Sequence, residues 1–442
     1  MTGAVRRMRA LLRRTRSGIR LAGVVLDRRR ELGAVGVATW VASRTRLAAS
    51  TSRSALCDPT KPAGAVFDVI YAIGYWEGEP KRYRVLNPAE GLRAAGYAVH
   101  VMPFDEIDDI RHRQWRAKVL VLARAEYDRL TGIERVLAYA RGIGMRVVYD
   151  IDDLVFDPGL AGRIDGIQLM GPHQRRRFVA ALERRRRLML ACDLVTASTA
   201  PIARAAAALG RPSAVIPNTL NAAQLRLAAA IAGAPRAACD RVRIGYFSGS
   251  RTHRRDFAEC EAALFEVMER HDETDLRIVG PLDLGPQWQG FGERIERIGL
   301  MSPEQLLRAI ADTDINLAPL ELGNPFTEGK SELKFFEAAA VGVPTVASPT
   351  VPFAAAIEHG VSGFLARDRD EWFAVLEALV VSAQLRRALG EAAKLRALAR
   401  YGPAVATRAT IEALALERGP LAGERYITML GEALDGGAPL CG

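Results

Sequence analysis

Short apolar runs alternating with helical spacing, twice over, constrain this 442-residue chain more than any other feature. Ala65 to Ile73 (AVFDVIYAI), Ala98 to Met102, Lys118 to Ala123 (KVLVLA) and Arg146 to Tyr149 with Ile151 read as buried strands. Helical patterns separate them, such as Val85 to Ala95, stopped by Gly96. A further strand, Ala214 to Ile216, ends at Pro217. The alternation restarts after residue 240 with strands at Val242 to Phe247, Leu276 to Val279, Ile315 to Pro319 and Pro344 to Ala347, and helices at Phe257 to His271 and Pro303 to Ala311. This spacing predicts parallel sheets built from βαβ units, in two doubly wound halves. The expected division is a basic segment at 1–62, a first α/β domain at 63–220, a linker at 221–240, a second α/β domain at 241–420, and a C-terminal helix at 421–442 packing back on the first domain. In such sheets ligands bind beyond the carboxyl ends of the strands. The loops GYWEGEPKRYRV, YDIDD, FSGSRTHRRDF and GNPFTEGKSE all fall there, which predicts a cleft between the halves.

The net charge of +10 belongs to the N-terminus. Residues 1–54 carry thirteen arginines against Asp27 and Glu31, and the remaining 48 basic and 49 acidic residues nearly cancel. The longest uncharged run there, Leu32 to Ser43, has 12 residues, too short to cross a bilayer as a helix. Basic residues with apolar stretches such as Ile19 to Leu26, and Trp40, suit an anionic membrane surface, with a merely solvated tail as the alternative. The predicted location is cytoplasmic, peripheral on the inner face of the membrane. No aromatic-interleaved basic motif or zinc-finger spacing accompanies the charge, so nucleic acid is not an expected partner. Five scattered cysteines without CxxC spacing argue for a reducing compartment and against a zinc site. The arginines at 175–177 and 184–187 lie in a helical pattern and read as a solvated face or a second anionic contact.

Asn324 to Ser348 (NPFTEGKSELKFFEAAAVGVPTVAS) carries the chemistry. Ser331 to Val341 reads as a helix closed by Gly342 and Pro344. Lys330, Lys334 and Glu337 then form one stripe. Two cations at a helix N-terminus oppose the macrodipole at a cost of roughly 0.3–1 kcal/mol each, unless an anion such as phosphate is bound. Glu337, among Phe335, Phe336 and Ala338 to Ala340, needs a specific partner such as a sugar diol. The plainer alternative is that the lysines are solvated and Glu337 pairs with Lys334.

Several pieces in order resemble the retaining nucleotide-sugar glycosyltransferases of the GT-B architecture, family 4 type. They are Gly249-Ser250 after a strand, Thr252-His253 and Asp256-Phe257, Ile278-Val279-Gly280, Asp314-Ile315 with Leu317 to Leu320, Lys330 to Glu337, and Gly360 to Leu365. Tyr83 to Gly96, Tyr149 to Asp153 and Asp193 to Asn218 match more loosely. The resemblance implies two Rossmann-like domains facing a cleft and a hexosyltransferase-type enzyme. It would move a sugar from a nucleoside diphosphate sugar to a glycan or lipid-linked acceptor, with retention and no required cofactor, in surface polysaccharide or glycolipid synthesis. A sugar-nucleotide epimerase of the same architecture, or an inactive nucleotide-sugar-binding protein, are the alternatives.

By that resemblance Glu337 accepts hydrogen bonds from the ribose, and Gly329 stands where the family has a first glutamate, between Glu328 and Glu332. The donor side then comprises Gly249, Ser250, Arg251, His253, Arg254, Ile298 near the base, Phe326, Thr327, Glu328, Gly329, Ser331 and Glu337, with backbone N–H groups of residues 326–330 as further donors. Arg255, Lys330 and Lys334 are the expected cations on the diphosphate, where charge builds on the leaving group. Asp152 and Asp153 would orient the acceptor or stabilise positive charge on the sugar. Metal binding by this D-x-D triplet is the rival, and no metal is assigned. Glu77, Arg82, Tyr83 and Arg84 sit where the acceptor approaches.

Overall fold

The computed structural model describes residues 56–76, 79–168, 170–232, 240–249 and 253–417. The 1–55 tail, Glu77, Ser250, Arg251, residues 233–239 of the 221–240 linker and the 421–442 helix lie outside them.

The first sheet contains β1 (Val66–Ile73), β2 (Val99–Pro103), β3 (Arg116–Ala123), β4 (Arg146–Ile151), β5 (Leu194–Ala197) and β6 (Ser213–Val215). Its order is β2-β1-β3-β4-β5-β6, and every pair is parallel. Helices α1 (Asn87–Ala94), α2 (Ile133–Gly142), α3 (Pro172–Leu190) and α4 (Ala200–Ala208) supply its connections. After α5 (Ala222–Ala232) the second sheet contains β7 (Val242–Phe247), β8 (Thr274–Val279), β9 (Ile295–Ile298), β10 (Ile315–Ala318), β11 (Thr345–Ala347) and β12 (Phe364–Leu365). Its order, β12-β11-β10-β7-β8-β9, is again parallel throughout. The surrounding helices are α6 (Arg254–Arg270), α7 (Pro303–Ala311), α8 (Leu333–Ala340), α9 (Val351–Ala356), α10 (Arg369–Val381), α11 (Ala383–Tyr401) and α12 (Pro403–Ala413).

The strands are buried on both faces, hence their continuous apolar character: β1 reads VFDVIYAI, with Val69 to Ile73 all buried. Strand order reverses between β1 and β3 in one sheet and between β7 and β10 in the other. Loops diverge at such points and leave a crevice. The α7 helix matches its predicted span because Ser302 and Gln305 form a reciprocal capping box with Pro303 at the first turn. Strands β5, β9 and β12, at two to four residues, are too short to show periodicity.

Among the described residues, a large apolar cluster lies in each domain, and another fills the seam, where Tyr83 and Leu220 meet Leu307, Phe336, Phe353 and Tyr401. The chain returns to the first domain earlier than the sequence suggests. Helix α12 packs on α1 so closely that a Cβ at Gly91 would fall 2.0 Å from the Thr407 hydroxyl, and Tyr97 donates to the Glu417 carbonyl at 2.8 Å. No helix among the described residues is long and apolar enough to cross a membrane.

Candidate active site

The predicted helix at 331–341 is two elements. Asn324 caps a short turn, Pro325–Glu328, by accepting from the Phe326 N–H at 3.0 Å. Helix α8 begins only at Leu333, after Glu332, and ends before Gly342, which has φ +76°. The expected stripe is therefore broken, and Lys330 precedes the helix that carries Lys334 and Glu337.

The two lysines differ in consequence. Lys330 Nζ donates to Asp256 Oδ2 at 2.8 Å, and His253 Nδ1 meets the same oxygen at 2.8 Å. Burial favours a neutral Asp256, but the His253 hydrogen bond and Lys330 pull its pKa well below the usual carboxylate range. Burial and Lys330 lower His253 to about 4, so the imidazole is neutral at physiological pH. Lys334 Nζ is enclosed, 4.3 Å from the centroid of the Tyr246 ring, with no hydrogen-bond partner among the described residues. Burial lowers its pKa from 10.5 to about 8. An enclosed ammonium over an aromatic face, lacking a hydrogen-bond acceptor, is incomplete without an anion.

Glu337 accepts at Oε1 from the Tyr83 hydroxyl at 2.5 Å. Burial raises this carboxyl to about 7, while the Tyr83 bond pulls it down. On the first-domain side, Arg124 Nη1 donates to both oxygens of Asp152 at 3.1 and 3.2 Å, and Nη2 lies 3.5 Å from Asp153. Its guanidinium also stands 4.6 Å from the Tyr75 ring centroid. Burial and the neighbouring Asp152 raise the pKa of Asp153, against the opposing pull of Arg124 and Lys330. Asp150, the first acid of the triplet, is held by Arg84. Asp150 and Asp152 thus already have guanidinium partners in the role a cation would fill.

The other predicted residues scatter. The Gly329 N–H is directed to the Thr327 carbonyl. The Gly329 carbonyl accepts from Thr199 Oγ1 at 2.8 Å, and a Cβ there would lie 3.3 Å from Ile202 and 3.4 Å from Leu154. An acid at 329 would be driven into that apolar wall, which accounts for the glycine. The Glu328 carboxylate accepts from the Val351 N–H at 3.3 Å. Thr327 spends its hydroxyl on the carbonyls of Glu321 and Asn324. Phe326 leans on the first-domain core, 5.6 Å from the Lys330 ammonium, and Ser331 Oγ accepts from Asn218 at 3.0 Å. Arg255 pairs with Glu321 at 2.7 Å, and its N–H reaches Asp165 of the first domain. Arg254 pairs instead with Glu261, whose Oε1 binds Trp288. Gly249 is exposed at the end of β7, and Ile298 ends β9 among apolar neighbours.

Two of the acceptor-side expectations need correction. Arg84 is 3% exposed and fully hydrogen-bonded inside the first domain, so no acceptor reaches it. Tyr83, also buried, addresses Glu337 of the second domain. Arg82 pairs with Glu79 at 2.7 Å. Sequence reasoning missed Arg124 altogether. Its only signal is a φ of +47°, rare for a non-glycine residue and invisible in the letters. On α3, Arg184 and Arg185 are pinned by Glu126, while Arg175 and Arg176 are exposed.

Two parallel six-stranded sheets with loops at reversed strand order define the GT-B fold, and the second domain carries a match to a glycosyl transferase-like family. Residues 254–411, which make up most of the second domain, match the Glycosyl transferase-like family model. The fold is similar to sucrose-phosphate synthase from Thermosynechococcus elongatus, at 17% identity and a TM-score of 0.51, over 83% of this chain and 100% of that one. It is also similar to HepE from Anabaena, solved with UDP and glucose, at 14% identity and a TM-score of 0.50, over 79% and 99%. No curated protein matches the chain by sequence.

Proposed function

We propose that the protein transfers a glycosyl group from a nucleoside diphosphate sugar to a glycan or lipid-linked acceptor, with retention, at a membrane surface where polysaccharide or glycolipid is made. The observation that carries this reading is the enclosed ammonium of Lys334, without a hydrogen-bond partner among the described residues and next to Lys330. The bond from the sugar C1 to the phosphate oxygen breaks, and the nucleoside diphosphate leaves with the electron pair. The acceptor oxygen bonds to C1, and its proton passes to the departing phosphate. Charge therefore grows on the β-phosphate in the transition state, where preplaced cations in a dry site stabilise it most. Lys334 is aimed for this role, and Lys330 can exchange Asp256 for phosphate. Arg124, Asp152 and Asp153 form the facing wall, where carboxylates can accept from acceptor hydroxyls.

Calorimetric titration with UDP-, GDP- and other nucleoside diphosphate sugars tests the reading. At least one binds, and at 100 times its dissociation constant it stabilises the fold by about 2.7 kcal/mol. Absence of binding by every donor at millimolar concentration overturns it. The basic N-terminal segment is the proposed membrane contact. Deleting residues 1–54 should abolish sedimentation with anionic liposomes while leaving nucleotide affinity unchanged, and equal sedimentation before and after deletion counts against the anchor.

A further inference from the structure

Tyr83 belongs to a π-helical turn of the first domain, Arg82–Leu86, yet its side chain ends in the second. Its hydroxyl donates to Glu337 and accepts from Gln224 Nε2 at 3.1 Å, and its ring stands edge-on to Phe336 at 6.2 Å. With the ring 3% exposed and both partners fixed, the hydroxyl has one orientation and its single proton goes to Glu337. Glu337 is only partly buried, and no partner for its Oε2 is found among the described residues. The charged groups facing this carboxylate are Glu79 and Arg82 from the first domain and Lys334 from its own helix.

We propose that Tyr83 is a positioning residue for the nucleotide: held by Gln224, it fixes one oxygen of Glu337 so that the other is presented to the ribose hydroxyls. The inference rests on the donor reading above and makes the nucleotide site a joint product of both domains. The ionised carboxylate accepts strongly on both oxygens at once, whereas the protonated group turns one of them into a donor. With Glu337 at about 7, affinity for a ribonucleotide rises as pH passes upward through neutrality. Removing the tyrosine hydroxyl removes a bond that favours the charged form, so the midpoint moves up.

The test compares UDP with dUDP, and GDP with dGDP, by calorimetry between about pH 6 and pH 8.5 on wild type, Tyr83→Phe and Glu337→Gln. Tyr83→Phe weakens the better ribonucleotide about tenfold at pH 7, a loss that narrows at the alkaline end, and weakens its 2′-deoxy counterpart much less. A purely structural role would weaken both nucleotides alike at every pH, and that result overturns the proposal. Glu337→Gln keeps the volume and abolishes both the pH dependence and the ribose discrimination. Discrimination that survives it overturns the proposal even if Tyr83→Phe does not fold. If no ribonucleotide binds wild type, the donor reading itself falls. Binding with an unchanged ribose-to-deoxyribose ratio in Tyr83→Phe removes only the role of Tyr83.

Discussion

Lys334→Met raises the melting temperature of the ligand-free protein at pH 7 and, in the same preparation, removes most of its affinity for nucleoside diphosphates. Lysine in the unfolded chain titrates near 10.5, and in the folded protein Lys334 titrates at about 8. The lowered folded value means that the charged form destabilises the fold. That penalty is full below pH 8 and disappears as pH rises toward 10.5, where the unfolded chain binds the extra proton. A shift of this size corresponds to about 3 kcal/mol, offset by about 1 kcal/mol for the lost contact with Tyr246. Methionine fills similar space with no charge, so the variant melts a few degrees higher at neutral pH, and the difference shrinks at about pH 10. Loss of a charge-assisted bond to phosphate costs about 1.5–3 kcal/mol, so affinity falls at least tenfold. Scanning calorimetry at two pH values with nucleotide titration checks both halves. A variant that is less stable at pH 7, or that binds nucleotide as well as wild type, contradicts the assignment of Lys334 as an anion ligand.

Arg84→Ala lowers the unfolding free energy by about 3–5 kcal/mol, the largest effect expected of any single substitution outside the apolar core. Arg84 makes a bidentate contact with Asp150, at 2.9 and 2.7 Å, and donates to the Ile216 carbonyl at 2.6 Å and Asn218 Oδ1 at 3.0 Å. Among the described residues Asp150 then keeps only the Thr196 hydroxyl, at 2.7 Å, and is left without a cation in a dry interior. The cost arises from the stranded carboxylate more than from the lost attraction. The double variant Arg84→Met with Asp150→Leu therefore recovers most of the stability, and chemical denaturation of the three proteins measures it. An Arg84→Ala protein within about 1 kcal/mol of wild type would mean that water or a rearranged neighbour reaches Asp150.

The same pair shows where reading the chain as letters succeeds and where it stops. Strands buried on both faces announce themselves as apolar runs, so most of both sheets was legible, with β7 and α7 at their observed bounds. Lys330, Lys334 and Glu337 were legible as chemistry because their types are costly beside apolar neighbours. Partners distant in sequence were not legible. Arg84 reads like the exposed arginines around it until the fold sets it against Asp150, 66 residues away. Tyr83 looks like an acceptor-loop residue until it meets Glu337, 254 residues on. The Asp256 carboxylate that claims Lys330 is 74 residues from it, and no local pattern reports the competition. Proximity of side chains from different βαβ units is a property of sheet order and domain packing, and neither hydrophobic period nor propensity encodes it.

The two places where the chain passes between domains lie against each other, the Leu220 N–H donating to the Tyr401 carbonyl at 2.9 Å. Two crossings side by side act mechanically as one pivot, and any rotation that opens the cleft turns about it. Gln224, which holds the Tyr83 hydroxyl, is four residues from that pivot, so the proposed ribose end of the site has a short lever arm. The links from Asn324 to the Arg163 carbonyl and from the Arg255 N–H to Asp165 have no such tie and would have to break first. If the donor site proposed above holds, opening about this pivot exposes the sugar end before the nucleoside end, and the glycosylated product would depart before the spent nucleotide.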